Sequence, residues 1–140
     1  MVLTDCKEIA LIERASFTEP WSEQSFINEA KDENHIYLVA EKEGKIIGYC
    51  GMWDIVKEGH ITNVCVEASH RHQGVGRRLL TELLSIAKER EITAVTLEVR
   101  DSNLAAISLY EQLGFHYAGR RKGFYSFPKE DAVIMWLTLT

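Results

Sequence analysis

The stretch between residues 60 and 78 carries the clearest chemical signal of this sequence, H-I-T-N-V-C-V-E-A-S-H-R-H-Q-G-V-G-R-R. An apolar strand pattern runs into a loop that contains Gly74 and Gly76, and a helical pattern follows the loop. Backbone N–H groups at a helix N-terminus are unpaired and partly positive, and glycines let a phosphate approach them closely. Three arginines accompany the glycines: Arg71, Arg77 and Arg78. We therefore interpret the loop as a binding site for an anion of pyrophosphate size.

The loop differs from the two commonest nucleotide-binding motifs. The motif G-x-G-x-x-G needs a third glycine where Leu79 stands, and a P-loop needs a lysine where Arg77 follows Gly76. A solvated turn with basic residues at a helix start is the simpler alternative. Arginines at a helix N-terminus oppose the helix dipole, so a purely stabilising role is the less favoured of the two interpretations.

Glu98 and Tyr110 are candidates for acid–base chemistry. Glu98 lies in an alternating strand pattern over residues 92–100. Burial among the apolar residues of this strand would raise the pKa of its carboxyl towards the range of a general base. The alternative is a carboxylate that faces solvent or pairs with Arg100 or Arg121. Tyr110 falls on an apolar helical stripe, so from spacing alone core packing is its default interpretation.

The spacing R-x-x-G-x-G at Arg71, Gly74 and Gly76 resembles the acetyl-CoA signature of the GNAT acyltransferases. Five segments in the same order along nearly the whole chain are similar to the RimI-type branch of that family: 17–26, 60–66, 97–103, 109–115 and 130–135. The resemblance implies an acetyl-CoA-dependent N-acetyltransferase of protein N-termini, whose acceptor is a small-subunit ribosomal protein that begins with alanine. It also implies that the amine attacks the thioester directly, so that Cys65 is not a nucleophile.

The resemblance further implies roles for individual residues. Glu98 would be the general base, directly or through a water molecule, and Tyr110 the general acid. The acetyl-CoA site would comprise eleven residues: Val64, Cys65, Val66, Arg71, His72, Gln73, Gly74, Val75, Gly76, Arg77 and Asn103. Four residues would form the acceptor site: Phe17, Pro20, Trp21 and Tyr125. Simpler interpretations stay open, namely a hydrophobic staple for residues 17–21 and a helix cap for Asn103.

Cap signals and periodicity predict the helices that hold these residues. A first helix is predicted to begin near Thr4 or Asp5, and a second is capped by Ser22. A third follows the glycine loop of residues 71–76, and a fourth is capped by Ser102 or Asn103. Asp5 and Glu8 are spaced as a capping box, and Ile9, Ile12 and Ala15 would give the first helix its apolar stripe.

Alternating apolar runs predict strands over residues 35–41, 45–53, 61–66, 92–100, 115–119 and 132–139, with chain breaks at the pair 43–44 and at Gly59. Their order predicts an α/β fold, in which helices cover both faces of a mixed sheet. The resemblance implies a GNAT-like sheet that is splayed between residues 61–66 and 94–99. The first strand that is usual in the family has almost no room before the first helix.

Length and charge limit the remaining possibilities. The chain has 140 residues, the size of one domain over residues 1–140, and no apolar run approaches the ~18 residues of a membrane span. The net charge of −5 argues against a nucleic-acid partner. Residues 1–60 carry 12 acidic and 6 basic side chains, which suits a basic acceptor protein. With no signal-peptide pattern, a cytoplasmic location is expected.

Cysteine and histidine spacing predicts no metal site. The three cysteines are scattered without a C-x-x-C pair, and we expect them to be small buried hydrophobes. The five histidines show no metal-ligand spacing, and none is assigned a catalytic role. Alternative functions stay open: acetylation of a small-molecule amine or a lysine side chain, a non-catalytic acetyl-CoA-binding module, or a structural subunit of a larger acetyltransferase.

Overall fold

A computed structural model describes residues 1–17 and 19–139, so Thr18, which belongs to the predicted acceptor loop, and Thr140 lie outside the described residues. The helices are α1 (Cys6–Ser16), α2 (Glu23–Lys31), α3 (Val75–Glu89) and α4 (Leu104–Gln112), with short 3-10 turns at Leu3–Asp5 and Ala68–His70. The strands are β1 (His35–Lys42), β2 (Lys45–Ile55), β3 (Glu58–Val66), β4 (Ala94–Arg100), β5 (His116–Ser126) and β6 (Lys129–Thr138).

Within the described residues, six strands form one sheet in the order β1-β2-β3-β4-β6-β5. β3 and β4 run parallel, and the other neighbouring strands pair antiparallel. The mixed sheet confirms the predicted α/β fold. β1 is an edge strand, and the terminal amine of Met1 donates a hydrogen bond to Tyr37 O of β1 at 3.0 Å. No strand precedes α1 in the described part of the chain, as the short N-terminal segment predicts.

Two apolar clusters cover the two faces of the sheet. The leucines of α3 form one of them with β4 residues such as Val95 and Leu97. Ile9 of α1, Phe26 of α2 and Tyr49 of β2 belong to the other cluster. The predicted apolar stripe of α3 and the alternation of β4 are both confirmed, because these side chains are almost fully buried. No helix of the described chain has the length and apolar character that crossing a bilayer requires.

Two local predictions for the first helix are wrong. Asp5 accepts a hydrogen bond from Val2 N at 2.9 Å, and Glu8 reaches Ile46 N at 3.3 Å, so the two carboxylates do not form the predicted capping box. Ala15 is exposed, and the buried stripe instead includes Glu13, which is 2% exposed. A hydrogen-bonded carboxylate is buried on α1 instead of an apolar side chain, because polar side chains of β2 and β3 face this part of the helix.

The turn between β2 and β3 also differs from its prediction. The chain reverses at Val56 and Lys57, which have φ angles of 50° and 64°, and Gly59 already belongs to β3. A cross-strand turn of this kind normally uses glycine or asparagine, because positive φ is costly for β-branched residues. Asp54 compensates in part, since its carboxylate accepts from Lys57 N at 3.1 Å. The glycine–glutamate turn between β1 and β2 is confirmed.

A β-bulge in β3 decides which side chains face which helices. The register between β2 and β3 shifts at Thr62, which has no opposite residue. Thr62 and Asn63 therefore both reach the hydroxyl of Tyr37, at 2.8 and 3.2 Å. Ile61 packs in the α3 cluster and Cys65 in the α1 cluster, although a regular strand would place both on one face.

Candidate active site

A cleft opens where β3 and β4 part. The two strands pair only from Glu58↔Ala94 to His60↔Thr96, and beyond this point they diverge. The cleft has a volume of about 620 Å³ and is walled by β3, β4, α4, the end of α1 and the β5–β6 hairpin. The splay that the resemblance implies is therefore present. It leaves the part of β3 after His60 unpaired with β4.

Glu98 lies in this cleft, and its carboxylate contacts His60 and Arg121. Its side chain is 13% exposed, and His60 Nε2 donates a hydrogen bond to Glu98 Oε2 at 2.6 Å. Arg121 approaches the other oxygen, Oε1, at 3.6 Å. The hydrogen bond from His60 lowers the pKa of the Glu98 carboxyl, an effect that outweighs the opposite effect of burial and is increased by Arg121. The predicted rise of this pKa is therefore wrong, because the sequence does not show the His60 contact.

Tyr110 lies on α4 and also lines the cleft. Its ring is 8% exposed and contacts Phe115 edge to face at 5.7 Å, so it belongs to the core as well as to the cleft lining. Burial raises the pKa of the Tyr110 hydroxyl. The phenol therefore keeps its proton at neutral pH and can donate a hydrogen bond to a developing negative charge.

α4 is held in place by its caps. Asn103 accepts a hydrogen bond from Ala106 N at 3.2 Å, as its prediction as a helix cap requires, and it also lines the cleft. At the other end Gly114 has a φ of 102°, and Phe115 N donates to Tyr110 O at 3.0 Å, which closes the helix in a Schellman motif. The caps at both ends of α4 therefore fix the position of Tyr110 in the lining of the cleft.

A second depression of about 430 Å³ lies at the N-terminus of α3. Gly74 is the N-cap with a φ of 81°, and His72 before it has a φ of 63°, so the loop turns its backbone around the helix end. A Cβ added to Gly76 would lie 3.8 Å from Val66 Cγ2 and 3.9 Å from Leu109 Cδ2, which are both walls of the depression. The backbone at Gly76 is thus open to a ligand that a side chain would obstruct.

The arginines of the loop are engaged with the protein. Arg71 Nε donates to Val66 O at 2.9 Å, and its guanidinium also reaches Ser16 Oγ at 3.2 Å. Arg77 hydrogen-bonds to Gln112 of α4. These contacts hold both cations at the rim of the depression while the side chains stay exposed. A fixed positive rim around unpaired helix N–H groups suits a pyrophosphate.

Most of the residues expected for acetyl-CoA line the cleft or the depression. Seven of them surround the depression: Val66, Arg71, His72, Gly74, Val75, Gly76 and Arg77. Val64 and Asn103 line the cleft. Cys65 is 5% exposed and packs towards α1, and Gln73 is exposed beside the loop, so neither side chain is part of a wall.

The aromatic residues expected for the acceptor are brought together only in part. Phe17, Trp21 and Tyr125 line the cleft from two sides, whereas Pro20 is exposed and outside the lining. Arg100 lies over the Tyr125 ring at 4.3 Å. The guanidinium of Arg100 also donates to the carbonyl oxygens of Phe127 and Pro128, at 3.0 and 2.9 Å, and so ties the tip of the β5–β6 hairpin to β4.

Sequence analysis missed two residues of the site, His60 and Glu13. His60 meets Glu98 through the parallel pairing of β3 with β4, and no short-range pattern shows that register. Glu13 lines the cleft and accepts from Trp21 N at 2.8 Å and from Tyr49 Oη at 2.5 Å. An acidic residue next to Ile12 on the apolar face of α1 is the one signal that could have indicated it.

All three cysteines are buried and free, as expected for small hydrophobes. Burial raises the pKa of Cys65, so its sulfur is a neutral thiol rather than a thiolate nucleophile. Among the residues that the structure describes, no group of three or more histidine, cysteine or carboxylate side chains is arranged to hold a metal ion.

Comparison with known proteins gives matches over most of the chain. The model of the acetyltransferase (GNAT) family matches residues 6–115. A Bacillus subtilis protein, provisionally assigned as a ribosomal protein bS18-alanine N-acetyltransferase, is 39% identical over 99% of this chain and 93% of its own length. The crystal structure of the Escherichia coli ribosomal-protein-S18-alanine N-acetyltransferase has a TM-score of 0.92 and 33% identity over 100% of this chain and 91% of that chain.

A third similar structure contains a ligand. It is that of a Bacillus anthracis protein, provisionally assigned as a streptothricin acetyltransferase, in complex with acetyl coenzyme A. Its TM-score is 0.70 at 27% identity, and the match covers 78% of this chain and 65% of that chain.

Proposed function

The chain belongs to the GNAT acetyltransferase family, and from this premise we propose that it transfers the acetyl group of acetyl-CoA to the N-terminal α-amine of a protein, the N-terminal alanine of ribosomal protein bS18. The observation that carries the proposal is the splayed cleft, whose lining includes both Glu98 and Tyr110. We also propose that residues 1–140 act as one domain in the cytoplasm, where ribosomal proteins are made.

The two pockets suit the two ends of acetyl-CoA. The pyrophosphate would lie at the N-terminus of α3, where Gly76 leaves the backbone open and Arg71 and Arg77 form a positive rim. The pantetheine arm contains two amides, and the edge of β3 beyond His60 is free of β4, so the arm can add to it as a strand would. Val64 and Val66 border this edge.

The reaction needs one base and one proton donor. An N-terminal amine has a pKa of about 7.7–8.0, so much of it is an ammonium ion at neutral pH. Glu98 is ionised there, attracts the ammonium and takes its proton. The amine nitrogen then bonds to the thioester carbon and loses its second proton to solvent as the C–S bond breaks. The hydroxyl of Tyr110 protonates the leaving thiolate and recovers its proton from solvent. No acyl-enzyme forms, in agreement with the buried thiol of Cys65.

The acceptor end of the cleft is acidic and aromatic. Glu13 and Glu19 line it together with Trp21, and Tyr125 stands on the hairpin opposite. Carboxylates at this end favour a substrate with an ammonium terminus and basic residues behind it.

A panel of acceptors tests the proposal. The purified chain is mixed with acetyl-CoA and with peptides that begin with the N-terminal sequence of bS18, and free thiol release and peptide mass are measured. Otherwise identical peptides that begin with serine or with an N-methylated alanine are matched acceptor controls, and polyamines and free lysine test the other amine classes. We expect acetylation of the alanine peptide at its α-amine. Exclusive acetylation of polyamines or lysine side chains would overturn the acceptor assignment.

A further inference from the structure

His60 is a histidine that the function proposed above leaves without a role. It occupies the last paired position of β3, opposite Thr96 of β4, so it lies at the closed end of the cleft. Glu98 follows Thr96 by two residues and projects from the same face of β4. The two side chains therefore meet where the strands still constrain each other, and Nε2 and Oε2 are 2.6 Å apart.

The two carboxylate oxygens of Glu98 contact different side chains. Oε2 is bonded to His60, and Oε1 faces Arg121 of β5, whose side chain is 57% exposed. Tyr125 of the same hairpin is close enough for the Glu98 charge to contribute to raising the pKa of its hydroxyl. The oxygen held by His60 lies towards the paired end of β3 and β4, and the other oxygen faces an exposed side chain.

The imidazole of His60 is itself fixed from behind. Trp53 of β2 packs against it edge to face at 6.1 Å, and the Trp53 ring is stacked on His35 of β1 at 5.2 Å. Trp53 Nε1 donates to Glu29 of α2 at 2.8 Å, and Glu29 also pairs with His35. The aromatic row anchors His60 so that its Nε2–H points at Glu98, which a freely rotating histidine would not do.

We propose that His60 is the positioning residue of Glu98: its Nε2–H holds Oε2 and thereby directs Oε1 towards the acceptor amine. The inference rests on the proposed function, because Glu98 is the base of that reaction. It assigns no proton to the imidazole during turnover. The substrate ammonium gives its proton to Oε1, while the hydrogen bond at Oε2 stays in place and keeps the carboxylate ionised beforehand.

The proposed role predicts different values of kcat for two replacements of His60. In His60→Ala the donor is lost, the carboxylate can rotate, and kcat should fall about 10²-fold, the size expected for a misplaced reacting group. In His60→Gln the side-chain amide can still donate to Oε2, so kcat should return to within about tenfold of the wild-type value. KM for acetyl-CoA should change little in either variant, because its proposed pockets lie beyond His60.

The pH dependence separates positioning from simple packing. The hydrogen bond from His60 lowers the pKa of the Glu98 carboxyl, so its loss in His60→Ala should move the acid limb of kcat against pH to higher pH. In His60→Gln the amide donor remains, so the acid limb should stay closer to that of the wild type. A residue that only fills space would lower kcat equally at every pH. His116→Ala is the control, since it removes an exposed imidazole that lies outside both pockets, and its pH profile should match the wild type.

The experiment measures kcat at saturating substrates from about pH 5 to about pH 9 for the wild type, His60→Ala, His60→Gln and His116→Ala, with the melting temperature of each. A separate ¹³C NMR titration follows the Glu98 carboxyl, whose pKa should be higher in His60→Ala than in the wild type. Equal losses of kcat in the alanine and glutamine variants, or no loss in either, would overturn the inference. If His60→Ala does not fold, a kcat for His60→Gln more than about tenfold below the wild type overturns it.

The NMR titration needs no turnover. If the wild type acetylates no peptide but the titration shows the expected rise, the proposed function fails and the His60 contact stands. If peptides are acetylated and neither the profile nor the titration changes, only the positioning role fails.

Discussion

Trp21 N–H donates a hydrogen bond to Glu13 Oε2 at 2.8 Å, so a buried carboxylate of α1 holds the backbone of the proposed acceptor loop. In Glu13→Gln the charge that strengthens this bond is lost, and we expect about 2 kcal/mol less stability, as for a hydrogen bond to a charged group. KM for the peptide should rise more than KM for acetyl-CoA. Urea unfolding and the two KM values measure the effects.

Tyr49→Phe is the matched control for Glu13→Gln. It removes the other strong donor to Glu13, at 2.5 Å, but leaves the bond to Trp21 in place. We expect a similar loss of stability with little change in the peptide KM. If both variants raise the peptide KM equally, the bond to Trp21 is not what positions the loop.

Glu98→Gln and Tyr110→Phe should each lower kcat by roughly 10²–10⁴-fold, the usual range for the loss of a proton-transfer group. Both changes keep the shape of the side chain, so the melting temperature and the affinity for acetyl-CoA should stay close to wild type. Stopped-time assays at saturating substrates give kcat directly. Near-normal kcat in both variants would contradict the acid–base assignment.

Cys65→Ala should leave kcat within about twofold of the wild type. The thiol is 5% exposed on the α1 side of β3, and its burial raises its pKa, so it offers no nucleophile to the thioester. The smaller side chain should cost about 1 kcal/mol of stability, which is typical of a point mutation. Loss of turnover with intact fold and acetyl-CoA affinity would indicate an acyl-enzyme instead of direct attack.

Gly76→Ala should separate acetyl-CoA binding from stability. The new methyl group would stand between Val66 and Leu109 in the depression without a clash, and alanine favours a helix by up to about 1 kcal/mol over glycine. The melting temperature should therefore stay the same or rise. KM for acetyl-CoA should rise about tenfold, equivalent to about 1.4 kcal/mol. Ser85→Ala, at an exposed position of α3 away from the depression, should change neither value.

Gly51→Ala should destabilise the fold by about 1–3 kcal/mol through overpacking. A Cβ at this position would lie 2.1 Å from Cε1 of Tyr37, whose hydroxyl is held by Thr62 and Asn63. Gly119→Ala is the control, because its Cβ would meet only Ile134 at 3.6 Å. Thermal unfolding compares the two variants, and equal melting temperatures would show that Tyr37 can move aside.

Features that depend on neighbours in the chain were predictable from the sequence. The caps at Ser22 and Asn103, the glycine at the end of α4 and the apolar stripe of α3 follow from side-chain chemistry within a few residues. The glycine loop and the family signature belong to the same class, because a loop that opens a helix is a local arrangement.

Contacts between distant strands were not predictable. Three features depend on how two neighbouring strands pair in space: the splay between β3 and β4, the bulge at Thr62 and the turn at Val56. The order of the strands could be inferred from the family resemblance, but their register could not, since shifting a strand by one residue exchanges its two faces.

The sequence by itself determined the chemical groups of this protein: a carboxylate on an apolar strand, a phenol on a helix, and glycines with arginines before another helix. Tertiary structure decided which state these groups take. His60 is 38 residues from Glu98 along the chain, yet its hydrogen bond reverses the expected direction of the Glu98 pKa. Electrostatic and hydrogen-bond effects act through space over a few ångströms, so they appear only when the sheet has brought the two strands together.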